Sequence, residues 1–147
     1  MREQDDLADR ADDGEQHAEP VDAEPHAHRL GTSRPATFKA LARLADAPIS
    51  DDEIDDFYLR RVGRYAGVLK AFRTLEVHVL RTPDDLHRIT YEYLQHAAAH
   101  QVRYAEFFWN PTGTVHPLGI RYDLAQDAIV RAIRDAERAH ATNGRLI

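Results

Sequence analysis

The chain has 147 residues, of which 43% are hydrophobic and 30% are charged, and its formal net charge is −6. This is the composition of an ordinary globular domain, and it excludes collagen-like and low-complexity material. Because the chain has 0 cysteines, disulfides, thiolate metal ligands and a catalytic cysteine are excluded, and we expect a reducing, cytoplasmic location. No apolar run approaches the roughly 18 residues of a membrane span, so we expect no membrane partner.

The negative charge is concentrated at the N-terminus. Residues 1–22 hold nine acids and two bases, whereas residues 23–147 hold sixteen acids and seventeen bases. A segment this acidic, with few large apolar side chains, cannot form a core, so we predict a disordered acidic tail over residues 1–22 and a folded domain over residues 23–147. The bases of the folded part are interleaved with acids, which argues against a nucleic-acid partner.

The first predicted elements after this tail are a short strand and two helical stretches. Residues 23–30 predict a strand, which Pro25 weakens because proline cannot donate a hydrogen bond to a sheet. A helix is predicted from Pro35 to Ala45, where Phe38, Leu41 and Ala42 recur at helical spacing. Residues 51–75 form a second helical zone with apolar residues on its faces.

The clearest predicted helix begins after Thr82. Thr82 can cap it, Pro83 suits its first position, and two aspartates complement the helix dipole. Its predicted buried face consists of Leu86, Ile89, Tyr93 and Ala97. Residues 102–109 (VRYAEFFW) are aromatic and β-branched, and they predict a strand that stops at Asn110-Pro111.

The rest of the chain predicts a loop, a helix and the start of another strand. Residues 113–121 are predicted as loop, and Asp123 is predicted to cap a helix that ends at Asn143-Gly144. The predicted inward residues of this helix are Ala125, Ile129, Ala132, Ile133 and Ala136. Strands that alternate with helices indicate an α/β fold with a parallel sheet. Since two or three such units cannot cover a parallel sheet, we expect the chain to be the front of a larger domain.

One pair of residues has the spacing of metal ligands, His26 and His28. Residues two apart on a strand share a face, so both imidazoles could reach one ion. A His-x-His pair arises readily by chance in a chain with 9 histidines, and the spacing by itself leaves a solvated pair as the alternative.

The surroundings of this pair resemble a known family. Residues 23–42 (AEPHAHRLGTSRPATFKALA) are similar to the opening of the adenosine/adenine deaminase family, which reads Ala-Glu-Leu-His-x-His-Leu-(Asp/Glu)-Gly followed by (Ser/Thr)-x-Arg-Pro-x-Thr. The resemblance continues in the same order through five further segments: 68–72 (VLKAF), 80–86 (LRTPDDL), 89–94 (ITYEYL), 102–106 (VRYAE) and Asn110-Pro111.

The resemblance implies a zinc-dependent hydrolase that deaminates a purine nucleoside or purine base. It also implies a (β/α)8 TIM-type barrel, of which this chain is the helix-rich, incomplete N-terminal part. In that family His26 and His28 correspond to two zinc ligands at the end of the first strand, where barrel active sites lie. Leu69 and Phe72 match residues that form an apolar lid over the purine, and the alternative is that they belong to the core face of a helix.

The sequence also departs from the family pattern. Leu30 replaces the acidic residue that contacts substrate, and a leucine cannot accept a hydrogen bond from a ribose hydroxyl, which argues against unmodified adenosine as the substrate. Arg29 and Pro25 replace apolar residues, and Gln101 replaces a helix-ending glycine.

The family's third zinc histidine, its catalytic glutamate and its metal-binding aspartate correspond to positions after Ile147. We therefore expect the 147-residue chain alone to be catalytically silent. The alternative is an inactive remnant or interaction module of the same fold. The sequence leaves the particular purine and the oligomeric state open.

The remaining candidates have structural interpretations. Glu106 is predicted either to face a barrel centre or to join a polar network, and Trp109 is predicted to pack. The four histidines on the predicted helices are expected to be solvated: His87, His96, His100 and His140.

Overall fold

A three-stranded parallel sheet organises the chain. The computed structural model describes residues 23–28, 33–59, 70 and 72–147, and the predicted acidic tail over residues 1–22 lies outside them. The strands are β1 (Ala23–His28), β2 (Tyr104–Phe108) and β3 (Asn143–Leu146), in that spatial order. Both strand pairs are parallel, as the alternation of strands and helices predicted.

Helices connect the successive strands. Between β1 and β2 lie α1 (Pro35–Leu44), α2 (Asp51–Leu59), a π-helical turn named π1 (Leu75–Val79) and α3 (Pro83–Ala99). Between β2 and β3 lie α4 (Pro111–Leu118) and α5 (Tyr122–His140). None of the described helices is both long enough and apolar enough to cross a membrane.

The core lies between one face of the sheet and the helices α3 and α5. Ala105 and Phe107 of β2 are buried, whereas their neighbours Tyr104, Glu106 and Phe108 are only half-buried. Phe107 meets Tyr93 of α3 edge to face, with ring centroids 5.9 Å apart. The predicted inward residues of α5 are all buried: Ala125, Ile129, Ala132, Ile133 and Ala136. The second face of β2 is therefore the one that the helices leave accessible.

Helix α3 begins as the sequence predicted. The Thr82 hydroxyl accepts a hydrogen bond from the Asp85 backbone N–H at 3.2 Å. The Asp85 carboxylate in turn accepts one from the Thr82 N–H at 2.8 Å, which completes a capping box. Pro83 occupies the first turn, where its missing N–H costs nothing.

Loss of this cap has a predictable cost. Thr82→Ala removes an acceptor for an otherwise unpaired helix N–H, so the free energy of unfolding should fall by about 1 kcal/mol. Urea denaturation of the 147-residue chain measures this change. Thr82→Ser keeps the hydroxyl and is the matched control, and an equal loss in both variants would show that the cap is not the cause.

The turn that terminates α3 contains a residue with unfavourable backbone geometry, Gln101. The Gln101 N–H donates to the Ala98 carbonyl and the Val102 N–H donates to the Ala97 carbonyl, each at 3.0 Å. This is a Schellman motif, whose left-handed position usually holds glycine. Gln101 has φ +63°, so its Cβ is strained there. The predicted absence of a comfortable helix-ending residue is confirmed.

Gln101→Gly should relieve that strain and raise the free energy of unfolding by about 1 kcal/mol. Gln95→Gly, in the exposed interior of the same helix, is the matched control and should lower it by about 1 kcal/mol. Paired denaturant titrations measure both changes. A Gln101→Gly chain that is less stable than the parent would contradict the assigned backbone conformation.

Three sequence-based boundaries are wrong. Residues 113–121 are not all loop, because α4 spans Pro111–Leu118, with the Asn110 side chain accepting from the Thr112 N–H and Gly119 left-handed at φ +65°. Helix α5 is capped at Arg121, not Asp123, and Asp123 lies in the first turn as an ion-pair partner of Arg121. That helix ends at His140, and Asn143-Gly144 belongs to β3.

Two of the helix histidines are not solvated as predicted. His87 is half-buried, with its Nε2 atom 2.8 Å from an Asp135 carboxylate oxygen. The hydrogen bond from His87 holds the pKa of Asp135 below its ordinary value. His140 is half-buried, and its Nε2 atom lies 3.0 Å from the Tyr91 hydroxyl oxygen. These contacts join α3 to α5 across sequence separations that no local pattern reveals. His96 and His100 are exposed, as predicted.

Candidate metal and substrate site

The carboxyl ends of the parallel strands meet at one edge of the sheet, which we name the carboxyl edge and define by His28, Phe108 and Leu146. The register pairs His28 with Phe108 and Phe107 with Leu146. His26 and His28 therefore occupy the end of β1 that adjoins this edge, as the sequence predicted for the strand. In β/α barrels this is the edge that carries the active site.

A bulge in β1 contains His26, the first residue of the histidine pair. Glu24 pairs with Ala105, but Ala27 pairs with Phe107. An advance of three residues along β1 is therefore matched by an advance of two residues along β2. Pro25 lies within this interval, and its missing N–H cannot take part in a regular ladder. The bulge interrupts the two-residue alternation on which the sequence-based argument depended. Bulges next to active sites commonly re-aim the residues that they contain.

The accessible face of the sheet carries a polar network. The Tyr104 hydroxyl donates a hydrogen bond to the Glu106 carboxylate at 2.7 Å. This bond raises the pKa of the Tyr104 phenol above its ordinary value. Arg145 of β3 pairs with Glu106 in the register and brings a positive charge to the same part of the sheet. The structure therefore supports the polar network, and the place of Glu106 on the accessible face of β2 agrees with the other interpretation as well.

Aromatic packing surrounds the end of β2. Trp109 stacks on Tyr122, with ring centroids 5.5 Å apart and planes inclined by 15°. Trp109 also packs against the hydrophobic core, which confirms its predicted packing role. Asn110 then starts α4, so α4 begins at the carboxyl edge.

The structure describes one of the two predicted lid residues, Phe72. Leu69 lies outside the described residues. Phe72 is half-buried and helical, and it precedes π1. Segment π1 packs against α4, which places the part of the chain that follows Phe72 near the carboxyl edge. The buried residues of π1 itself are Leu75 and Val79, which belong to the core.

Sequence reasoning missed the close contact between π1 and α4. A Cβ atom added to Gly113 would lie 2.3 Å from a carboxylate oxygen of Glu76, so a larger residue there would displace the end of the Glu76 side chain. The only available signal was the glycine itself, in a segment predicted as loop. Glu76 thereby becomes a carboxylate held against α4, the helix that follows the carboxyl edge.

No group of three histidine, cysteine, aspartate or glutamate side chains that could hold a metal ion occurs among the side chains that the structure describes. Residues 23–28 are described by their strand and its register, so this result does not concern the imidazoles of the histidine pair.

Parallel strands in the order β1-β2-β3, joined by helices, are what the first part of a β/α barrel contains. The family model for adenosine deaminase matches residues 22–147. The chain therefore belongs to the adenosine deaminase family, and its fold is part of a (β/α)8 barrel.

Individual relatives agree with this assignment. The chain is 33% identical over 129 residues to adenosine deaminase from Mycolicibacterium vanbaalenii, covering 83% of this chain and 35% of that protein. It is also 33% identical over 129 residues to adenine deaminase from Ralstonia nicotianae, covering 85% of this chain and 36% of that protein. The chain thus spans about a third of the length of these relatives.

A solved structure extends the likeness to three dimensions. An amidohydrolase from Burkholderia ambifaria, determined with bound Zn, superposes with a TM-score of 0.80 at 53% identity. The alignment covers 86% of this chain and 34% of that chain.

Proposed function

We propose that the protein containing this chain catalyses the zinc-dependent hydrolytic deamination of a purine base or purine nucleoside. In this reaction water adds to the amino-bearing ring carbon and ammonia leaves. The observation that carries the proposal is the position of His26 and His28 at the carboxyl end of β1, in a chain of the adenosine deaminase family. Barrel active sites occur at that end of the strands.

The residues present fit zinc. Neutral imidazole nitrogen is a preferred zinc ligand, at about 2.0–2.1 Å from the ion. The 53%-identical amidohydrolase was determined with bound Zn, which supports the same metal here. Zinc held there would supply a nucleophile from water at neutral pH.

His26 and His28 would hold the ion at the carboxyl edge, close to the substrate. A catalytic zinc takes about three protein ligands and keeps one position open. The histidine pair supplies two, so a further ligand and a proton donor must come from other residues. On this basis the 147-residue chain, produced alone, is expected to show no deaminase turnover.

Leu30 argues for a substrate other than unmodified adenosine. A leucine side chain offers no acceptor to a ribose hydroxyl, and its position in the sequence is that of the family's substrate-contacting acid. We therefore propose adenine, or a nucleoside altered in its sugar, as the preferred substrate. The chain is equally identical, at 33%, to an adenosine deaminase and to an adenine deaminase, so this choice rests on Leu30.

We also propose that Leu69 and Phe72 line the purine pocket. The contact of π1 with α4 near the carboxyl edge supports this role for the segment that carries Phe72. An apolar wall there would bury the flat face of a purine and exclude water around the reacting carbon. A location in the cytoplasm remains a prediction from the sequence.

Ammonia release tests the proposal. The protein expressed in full from its gene, loaded with zinc, is incubated separately with adenine, adenosine and cytosine. We expect turnover of adenine, slower or no turnover of adenosine, and none of the pyrimidine. Absence of turnover on every aminopurine, in a preparation that retains zinc, would overturn the proposed function. Faster turnover of adenosine than of adenine would overturn the argument from Leu30 alone.

A further inference from the structure

A second pair of histidines lies at the C-terminal end of α3: His96 is in its last turn and His100 is its C-cap residue. They are four residues apart, and both are exposed. Residues at this spacing lie one above the other on a helix, which brings two imidazoles within reach of one ion. The two rings do meet in the structure, with centroids 4.3 Å apart and planes inclined by 59°.

The tautomer of His100 is fixed in the form that a metal requires. Its Nδ1 atom lies 2.9 Å from the backbone carbonyl oxygen of His96. A carbonyl can only accept, so Nδ1 carries a proton, and in the neutral imidazole the lone pair is then on Nε2. Histidine ligands characteristically donate their second ring N–H to a carbonyl or carboxylate in this way, which orients the ring and raises its basicity. His100 thus already has the outer-shell partner of a metal ligand.

The electrostatic setting favours a cation. The pair lies where α3 ends, and the aligned peptide dipoles give a helix C-terminus a partial negative charge. The position also separates this pair from the carboxyl edge. Helix α3 returns to the start of β2, so His100 lies near the amino end of the strand, whereas His28 pairs with Phe108 at its far end.

We propose that His96 and His100 form a second binding site, for a divalent transition-metal ion of the zinc or copper type. The ligands are Nε2 of His100 and one ring nitrogen of His96. Since no third ligating side chain joins them in the part of the chain that the structure describes, water completes the coordination. Two ligands make the ion exchangeable, unlike the ion of a closed structural site. Bound there, it pins the last turn of α3 directly before the strained Gln101.

Zinc titration with detection of individual imidazoles tests this proposal. The titration is made on the 147-residue chain carrying His26→Gln and His28→Gln. Because this chain lacks the first histidine pair, the result does not depend on the proposed function. We expect the ring ¹⁵N resonances of His96 and His100 to shift together and saturably with Zn²⁺. Replacing either residue with glutamine should abolish the saturable shift of the other.

A spacing control keeps the number of histidines constant. Gln95→His combined with His96→Gln moves one imidazole to the preceding position of the helix. It is then five residues from His100 and no longer lies above that ring. This chain should not bind the ion at the turn. Equal zinc affinity of the moved pair, or ring resonances in the parent that do not respond to Zn²⁺, would overturn the proposal.

Discussion

A His26→Ala variant of the protein expressed in full from its gene is expected to lose deaminase activity by more than about 100-fold, because even the outer-shell partners of metal ligands are worth 10- to 100-fold. His28→Ala should have the same effect, and the double variant should be little worse than either single one, since residues that act as a unit are not additive. Steady-state ammonia release on the preferred aminopurine measures the loss.

Two observations separate a ligand from a residue that only supports the fold. The variants should lose bound zinc while the thermal transition of the metal-free protein stays where it is in the metal-free parent. His87→Gln is the matched control, since His87 contacts Asp135 on the helical layer and should retain activity. Normal turnover in His26→Ala would exclude this histidine as a ligand.

The second large effect concerns the core behind the site. Phe107 is 1% exposed, meets Tyr93 edge to face, and lies against the position of Gly144, whose added Cβ would be 3.1 Å from the phenyl ring. Phe107→Ala should lower the free energy of unfolding by about 3–5 kcal/mol, because it leaves a cavity between β2, β3 and α3. That loss is a large fraction of the stability of a typical domain, about 5–15 kcal/mol.

Phe108→Ala is the natural control for Phe107→Ala. It removes the same side chain from the next residue, but Phe108 is half-buried on the opposite face of β2, so its truncation should cost much less. Urea denaturation of both chains, followed by circular dichroism, measures the difference. Equal losses for the two variants would contradict the assignment of the 105/107 face to the core.

Local chemistry made much of this fold predictable. Thr82, Pro83 and Asp85 specify the start of α3 within four residues, and the structure shows the capping box that they form. The alternating burial of β2 likewise follows from its own sequence, because aromatic and β-branched residues suit a strand. Local signals misled at α4, because residues 113–121 were predicted as loop. Asn110 and Gly119 nevertheless cap a helix there.

The candidate site was predictable only where family resemblance added to spacing. The His26-Ala27-His28 motif is uninformative by itself, and the strand-end position that gives it meaning depends on pairing with β2, far along the chain. The bulge at Pro25 depends on the same pairing. Contacts between distant helices, such as that of His87 with Asp135, have no local signature, since each side chain alone is typical of a solvated helix face.

The zinc content of the protein expressed in full from its gene, measured after exhaustive dialysis against metal-free buffer, tests the central claim most directly. The parent should retain about one ion per chain, as a catalytic zinc site does. Chains carrying His26→Ala or His28→Ala should retain almost none, whereas a chain carrying His96→Gln and His100→Gln should match the parent. A His26→Ala or His28→Ala chain that keeps its zinc would show that the carboxyl end of β1 does not hold the metal.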